Sequence, residues 1–270
     1  MVAEYIDLFA YTFLAVLTIF VVFWLISIPL KDVSIVDMIW APACALPGWI
    51  AFCVTDGAEP RKLLITALVT FWAIRLCWHI TKRNWGHGED PRYTKLRSFT
   101  KPGQSFHWVS LQRVFLLQAG LAWIVSLPVQ VAQVYTIPVE LGVFAYVGAT
   151  VSIIGILFEV IGDSQLKRFK SRPENKGKLM DQGLWSWTRH PNYFGDATLW
   201  AGLMLISCDN PVGFITIISP LIMGYFLLNV TGKKLLERGM RRRYPDYAAY
   251  EERTSGFFPL PPKRAGDGSS

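Results

Sequence analysis

FAYTFLAVLTIFVVFWLISIPL, residues Phe9–Leu30, runs for 22 residues without a charge, and most of its side chains are apolar. A helix rises 1.5 Å per residue, so about 20 such residues cross the roughly 30 Å hydrocarbon core of a bilayer. The stretch therefore predicts a membrane-spanning helix and, with it, an all-α integral membrane protein. Its flank is acidic, at Glu4 and Asp7, with no basic segment before it, so we expect a retained span and not a cleaved signal peptide.

The rest of the chain extends this pattern. Of its 270 residues 52% are hydrophobic and only 17% are charged, a composition typical of membrane proteins. Apolar windows predict seven transmembrane helices, near Phe9–Leu30, Val33–Val54, Leu63–Thr81, Val109–Val131, Val139–Gly162, Phe194–Ser207 and Val212–Val230. The sixth is short unless it continues from a helix begun at Pro191. We predict one domain over residues 1–264 and a disordered tail over 265–270.

Basic residues predict the orientation, because Lys and Arg accumulate in cytoplasmic loops. Residues 82–107 hold six, 164–194 hold seven and 233–264 hold nine, which together with Lys31 account for 23 of the 27. The N-terminus is then outside and the C-terminus cytoplasmic, and a bacterial inner membrane suits this. The net charge of +7 follows from orientation, and charges spread over three loops argue against a nucleic-acid partner. No obligatory protein partner is evident.

The four cysteines lie singly, with no CxxC pair and no histidine at ligand spacing, so we expect neither a disulfide framework nor a metal site. They are Cys44, Cys53, Cys77 and Cys208.

Ionisable residues inside spans are functional candidates, since each costs several kcal/mol unless it has a partner or water. Asp37 lies in the second span, and Arg75 and His79 stand four apart in the third, with Arg83 on the same face. A buried Asp37–Arg75 pair that fixes packing is one interpretation. The other is that a protonated Asp37 and His79 donate hydrogen bonds to a carbonyl oxygen, as conjugate reduction requires.

Charged residues at the ends of later spans repeat a helical spacing. Glu159 and Asp163 stand four apart, and Lys170 follows seven beyond Asp163. Lys233 and Glu237 repeat that spacing after the last span. A plain helix end explains the first set equally well. For the region after the last span, the alternative is a lipid-facing basic stripe of Lys233, Lys234 and Arg241–Arg243.

The segment DQGLWSWTRHPNYFGD, Asp181–Asp196, concentrates hydrogen-bonding groups beside an apolar stretch. Pro191 suits the first turn of a helix, whose free amides and dipole favour an anion. Asn192 and Asp196 then share one face. The alternative is an interfacial turn anchored by Trp185, Trp187 and Tyr193.

The loop NWGHGEDPRY, Asn84–Tyr93, carries Gly86 and Gly88, which allow close backbone approach, together with the polar Glu89, Asp90 and Arg92. It neither follows a strand nor opens a Rossmann unit, so a dinucleotide would bind among helices.

These features resemble a known family. A polar second span, an Arg in the third, Asp163 with Lys170, the run Gly183-Leu184 through Asn192-Tyr193-Phe194-Gly195-Asp196, and the tail YPDYAAYEERTSGFFPLPP resemble membrane steroid 5-alpha-reductases, particularly bacterial relatives. The likeness covers about residues 30 to 262. The C-terminal half also resembles the wider superfamily with sterol C14-reductases and isoprenylcysteine carboxyl methyltransferases.

The resemblance implies a cytosolic NADPH site in a seven-helix bundle, with the nicotinamide facing an apolar cavity open to lipid. The cofactor contacts it implies are Arg75, Arg83, Asp163, Lys170, Lys178, Arg189, His190, Asn192, Tyr193, Asp196, Lys233 and Glu237. Lys170 and Lys178 would favour NADPH over NADH. Asp37 takes the place of the family's Glu, and the family's catalytic Tyr aligns with Trp72, so the proton source stays open among Asp37, His79 and water.

The function implied is NADPH-dependent reduction of the conjugated C=C bond of a lipid-soluble enone, most simply a 3-oxo-Δ4-steroid to its 5-alpha product. Asp37 and His79 would be catalytic, and Met38, Trp40 and Trp72 would line the substrate slot. Two alternatives remain: an S-adenosylmethionine-dependent membrane methyltransferase of the same superfamily, and a non-catalytic lipid-binding or scaffold protein.

Overall fold

The structure is a computed structural model that describes residues 2–101, 103–230 and 232–263, with the side chains of residues 2–4, 234 and 235 left aside. The predicted tail at 265–270 lies outside these residues. The α-helices are α1 (Val2–Leu30), α2 (Ile35–Val54), α3 (Glu59–Asn84), α4 (Pro91–Ser98), α5 (Phe106–Ser110), α6 (Leu117–Val125), α7 (Leu127–Val131), α8 (Val143–Lys170), α9 (Leu184–Trp187), α10 (Pro191–Ser207), α11 (Ile218–Tyr225), α12 (Lys233–Arg243) and α13 (Tyr247–Arg253). No strand occurs among the described residues, where a lone bridge joins Thr188 to Ser255.

Six helical segments in the described part of the chain are long and apolar enough to cross a membrane. They are Tyr5–Leu30, Ile35–Val54, Glu59–Asn84, Phe106–Val125, Val143–Lys170 and Pro211–Val230. The all-helical membrane fold is therefore confirmed. The remaining predicted span falls in α10, which has 17 residues. α10 does begin at Pro191, as the sequence predicts, so a seventh crossing and the orientation stay predictions.

The fourth span ends earlier than predicted. It comprises α5, a π-helical segment Leu111–Leu116 and α6, and it stops at Val125 and not at Val131. Ser126 ends the helix, and Pro128 belongs to the first turn of the short α7, where a missing N–H is tolerated. Hydropathy alone does not detect this break, because the residues on both sides are apolar.

The fifth span begins later and ends later than predicted. Asp209 accepts hydrogen bonds from the backbone N–H groups of Gly142 and Ala145, at 2.8 and 3.0 Å, and so satisfies amides at the start of α8. At its other end α8 continues past Gly162 to Lys170. Asp163 and Lys170 therefore stand on one helix, seven residues apart.

The contacts group the chain into two compact units, where the sequence predicts one domain. Unit 1 comprises Met1–Ala149 and Leu203–Ser219, and unit 2 comprises Thr150–Gly202 and Pro220–Ser270. In unit 1, α2 packs against α1, α3 and α6 around buried Phe20, Trp72 and Phe115.

Unit 1 also buries polar groups that satisfy one another. Thr12 donates to Gln130 at 2.7 Å, and the Gln133 amide donates to the Gly48 carbonyl at 2.8 Å. Arg61 is only 1% exposed and donates to the backbone carbonyls of Ala132, Tyr135 and Pro138. Arg61 is thus a packing residue, although its position in the sequence suggests a loop cation.

In unit 2, α8 and α10 approach closely at glycines. A Cβ on Gly195 would stand 2.5 Å from the Gly155 carbonyl oxygen, and a Cβ on Gly155 would stand 2.5 Å from the Gly195 oxygen. Only glycine permits two helix backbones to come this near. The Gly of the Asn192–Asp196 run therefore serves helix packing.

Candidate functional site

The first cluster surrounds Asp37, which lies in the first turn of α2. One carboxylate oxygen accepts a hydrogen bond from the Tyr93 hydroxyl at 2.7 Å, and the other accepts one from the Arg92 guanidinium. The Asp37 side chain is 14% exposed. Gln118 donates to the Tyr93 hydroxyl oxygen at 3.4 Å. Tyr93 therefore belongs to a mostly buried hydrogen-bond network beside the start of a membrane helix.

A helix cap and a contact with the segment before α2 hold α4 in place. Asp90 caps α4 by accepting from the Arg92 backbone N–H at 2.9 Å, and Pro91 fills the first turn. Glu89 accepts from the backbone N–H of Val33, at 3.0 Å, and so ties the loop to the segment just before α2. The loop identified in the sequence as polar thus carries Arg92 and Tyr93 to Asp37.

Burial and charge keep both partners of Asp37 in their protonated forms. Burial raises the pKa of the Tyr93 hydroxyl, and the neighbouring Asp37 carboxylate raises it further. Burial opposes the charge on Arg92, but the hydrogen bond with Asp90 and the charge of Asp37 raise its pKa overall. Tyr93 is therefore a neutral hydrogen-bond donor at physiological pH.

This geometry changes the role expected of Asp37. The sequence alone predicts that Asp37 is a protonated donor or a partner of Arg75. In the structure both of its oxygens accept hydrogen bonds, and its ion-pair partner is Arg92. The donor at this place is Tyr93, which sequence reasoning missed because it lies 56 residues further along the chain.

The predicted site residues of the third span, Arg75, His79 and Arg83, all lie on α3. Arg75 and His79 are partly buried, four residues apart, while Arg83 is exposed and donates to the Asn84 side chain at 3.1 Å. They share the helix face that the sequence predicts.

An apolar groove of about 650 Å³ lies in unit 1 among α1, α2 and α3. Trp49 and Trp78 form exposed walls, and Ala45 and Ala73 form a buried floor. Its lining also includes Pro42, five residues and about 7.5 Å along α2 from Asp37.

The predicted substrate residues Met38, Trp40 and Trp72 are not in the lining of this groove. Trp72 is fully buried and packs edge-on against Trp40, with ring centroids 6.2 Å apart, so it belongs to the core. Met38 and Trp40 are partly exposed on α2. The groove walls come from other residues of the same helices.

In unit 2, the structure brings together two of the predicted cofactor residues. Asn192 on α10 donates its side-chain amide to Asp163 on α8 at 3.2 Å. Asp163 and Asp196 are 7% and 8% exposed, while Lys170 and Lys178 are exposed. The carboxylates of Asp163 and Asp196 are therefore buried, whereas the cations of Lys170 and Lys178 are exposed.

A second buried cluster in unit 2 contains Arg189, His190 and Glu237. Arg189 Nε and His190 Nε2 both contact Glu237 Oε1, at 2.9 and 3.1 Å. Arg189 Nη1 donates to the carbonyls of Glu251 and Thr254, at 2.9 and 3.1 Å. Most Arg189 donors therefore bind protein groups, which leaves few for a ligand.

Burial lowers the pKa of His190, although Glu237 opposes this, so His190 is neutral at physiological pH. Burial raises the pKa of Glu237. The hydrogen bond with His190 and the charge of Arg189 lower it by more, so the pKa of Glu237 is lowered overall. The cluster is therefore an ionised Arg189–Glu237 pair with a neutral imidazole.

The segment Ser255–Leu260 closes over this cluster. Arg189 N–H donates to the Ser255 carbonyl at 2.9 Å, Thr188 Oγ1 donates to the Phe257 carbonyl at 2.8 Å, and Leu260 N–H donates to the Trp187 carbonyl at 3.0 Å. Half-buried Lys233 occupies the space beside Gly256, since a Cβ there would stand 2.3 Å from its ammonium nitrogen.

The aromatic residues of the Asp181–Asp196 segment are mostly internal. Trp185 donates to the Gly162 carbonyl at 2.9 Å, and Tyr193 stacks on His190 with the rings 3° from parallel. Trp187 alone of the three is largely exposed, at 46%. An interfacial anchor is thus restricted to Trp187.

Comparisons with known proteins find a family model that matches most of the chain. A family model described as "Protein of unknown function (DUF1295)" matches residues 23–254. An uncharacterized protein of Schizosaccharomyces pombe is 21% identical over 261 residues, covering 88% of this chain and 76% of that protein. No solved structure matches the chain.

Proposed function

Because the chain belongs to the DUF1295 family, whose model spans both units, we propose a function from its site chemistry: NADPH-dependent reduction of the conjugated C=C bond of a lipid-soluble enone. The simplest substrate is a 3-oxo-Δ4-steroid, reduced to the 5-alpha-3-oxosteroid. The observation that carries the proposal is the neutral Tyr93 hydroxyl held by the Asp37 carboxylate at 2.7 Å.

Conjugate reduction needs a hydrogen-bond donor at the carbonyl oxygen, because negative charge develops there as the β-carbon accepts a hydride. Tyr93 has a protonated, nearly buried hydroxyl, whose single hydrogen is donated to Asp37 in this structure. To act on a substrate, the hydroxyl turns this hydrogen from Asp37 to the carbonyl oxygen, while Arg92 keeps the Asp37 charge paired. One donor at the carbonyl oxygen contributes about 3 kcal/mol, or roughly 10²-fold in rate. His79 remains a second candidate donor.

The groove of about 650 Å³ supports an apolar substrate. Its floor of small side chains and its indole walls suit a flat ring system, and its lining at Pro42 lies less than two helical turns from Asp37. We place the hydrocarbon rings there and the carbonyl toward Tyr93.

The residues of unit 2 suit a dinucleotide in chemical kind. Exposed Lys170 and Lys178 suit phosphates, and Asp163 with Asn192 suits ribose hydroxyl and carboxamide groups. When bound, NADPH supplies the hydride. Tyr193, Asp196 and Lys233 remain proposed contacts. For Arg189, His190 and Glu237 we propose a supporting role, because they bind one another.

The distribution of basic residues supports an orientation. We propose the N-terminus outside, the C-terminus cytoplasmic and the cofactor residues on the cytoplasmic side of a bacterial inner membrane, because Lys and Arg accumulate in cytoplasmic loops.

The test is turnover by the purified protein. NADPH oxidation is followed with a panel of enones, and Tyr93→Phe is compared with Tyr11→Phe, which removes a hydroxyl from an exposed position on α1. We expect Tyr93→Phe to reduce kcat about 10²-fold with NADPH affinity unchanged, and Tyr11→Phe to match the wild type.

Three outcomes would contradict the proposal. Absence of NADPH oxidation with every enone, together with co-purified S-adenosylmethionine, would favour the methyltransferase. Normal turnover by Tyr93→Phe would remove the tyrosine from the mechanism. If neither NADPH nor S-adenosylmethionine binds, a non-catalytic lipid-binding protein is favoured.

A further inference from the structure

The outer face of α12 carries a row of arginines that no role above explains. Arg238, Arg242 and Arg243 are all exposed. Arg238 and Arg242 stand four residues apart and so share one face of the helix. That face lies about 100–140° around the axis from buried Glu237. The helix is therefore two-sided, with an inner face in the Arg189 cluster and an outer basic face.

Protein groups do not neutralise the positive charge of the outer face. Among the described residues, no carboxylate lies within 4.0 Å of the guanidinium groups of Arg238, Arg242 or Arg243. Arg241, on the other flank, does have one: it pairs with Glu251 at 2.6 Å. Like charges four residues apart destabilise a helix by a few tenths of a kcal/mol. An external anion would remove that penalty.

The position of α12 identifies the anion. The helix begins three residues after Val230, where the apolar segment Pro211–Val230 ends, so it lies at the membrane boundary. A basic face at the end of an apolar membrane segment suits a lipid with an anionic headgroup, whose acyl chains lie along that segment.

We propose that Arg238, Arg242 and Arg243 of α12 form a binding surface for the headgroup of an anionic phospholipid. Arg238 and Arg242 hold the phosphate, and Arg243 adds charge about 100° further around the helix from Arg242. The surface is independent of the proposed reductase activity and of the inner face of α12.

The experiment measures lipid preference directly. The full chain is extracted from membranes of equimolar phosphatidylglycerol and phosphatidylcholine, and the lipids retained are counted by native mass spectrometry. We expect the wild type to retain phosphatidylglycerol preferentially. Arg238→Gln with Arg242→Gln should reduce that preference about fivefold for each arginine, the ratio that corresponds to about 1 kcal/mol.

The control removes the same charge elsewhere. Arg172→Gln with Lys176→Gln changes two exposed cations between α8 and α9 and should leave the preference unchanged. Equal loss in both double variants would overturn the proposal, because the preference would then follow net charge. Absence of any preference in the wild type would also overturn it.

Inorganic phosphate distinguishes a lipid from a free anion. Excess phosphate added during extraction should leave most phosphatidylglycerol bound, because its acyl chains also contact the apolar segment Pro211–Val230. Complete displacement by phosphate would assign the arginines to a soluble anion and refute the lipid surface.

Discussion

Replacing Arg189 by Met should destabilise the protein strongly, because it leaves the buried Glu237 carboxylate without its guanidinium partner. Arg189 and Glu237 side chains are each 8% exposed, and their contact is 2.9 Å. Removing one member of a buried pair costs about 3–5 kcal/mol. Met retains much of the apolar stem, so the loss is electrostatic and not a cavity.

The double variant Arg189→Met, Glu237→Leu separates charge from packing. It removes the unpaired carboxylate, while the Glu251 and Thr254 carbonyls lose their Arg189 donor in both variants, so that cost cancels. The double variant should therefore be more stable than the single one, because a buried unpaired charge is no longer present. The measurement is unfolding in detergent, followed by circular dichroism.

The pH dependence of this cluster has a defined sign. The folded-state pKa values of His190 and Glu237 are both lowered, so the unfolded chain binds more protons. Their contribution to wild-type stability is present above the ordinary histidine pKa of about 6.5 and is lost as pH falls toward and through the folded values. In Arg189→Met, His190 gains a proton more easily and can pair with Glu237. The variant's deficit should therefore shrink below about pH 6.5.

Arg241→Met is the matched control, because Arg241 is exposed and pairs with Glu251 on the surface. It should leave unfolding nearly unchanged. The reasoning is refuted if Arg189→Met is as stable as Arg241→Met, or if adding Glu237→Leu lowers stability further.

Three other substitutions test unit 2. Gly195→Ala should cost about 1–3 kcal/mol of unfolding free energy, since its Cβ would stand 2.5 Å from a carbonyl oxygen, whereas Gly224→Ala, with open space around it, should be tolerated; equal stabilities in thermal unfolding would contradict the tight crossing. Changing Lys170 and Lys178 to Gln should raise KM for NADPH far more than for NADH, and an equal rise would exclude recognition of the 2′-phosphate. Asn192→Ala should weaken NADPH binding in a fluorescence titration while helix content is retained, and unchanged affinity would remove this residue from the proposed site.

Much of the fold could be predicted from local sequence. The second helix ends at Val54 as predicted, and α10 begins at Pro191, because apolar runs and proline act over a few residues. Hydropathy misses the break after Val125, because Leu127–Val131 is also mostly apolar, and the local signal for it is Pro128, which a helix interior does not accommodate. The extension of α8 to Lys170 was open because its last turns are charged.

The candidate site was less predictable because its contacts join distant residues. The sequence identifies Asp37 as a candidate, but its partners Arg92 and Tyr93 lie more than fifty residues further along the chain. Arg189 lies in a polar segment that suggests an exposed cation, and its burial is explained by distant groups, the Glu237 carboxylate and the carbonyls of Glu251 and Thr254. Periodicity reports which side of a helix is apolar, and not which distant group satisfies a charge.

The closure of Ser255–Leu260 over Thr188 and Arg189 has a consequence for biosynthesis. The start of α10 leaves the ribosome well before Glu237 and the closing segment are made. Until then, Arg189 lacks its carboxylate and its carbonyl acceptors, so this corner of the protein stays hydrated during translation. Unit 2 is therefore completed only when the last residues emerge. A premature stop codon before Ser255 would produce a nascent chain with an exposed charged corner, a substrate for membrane quality control.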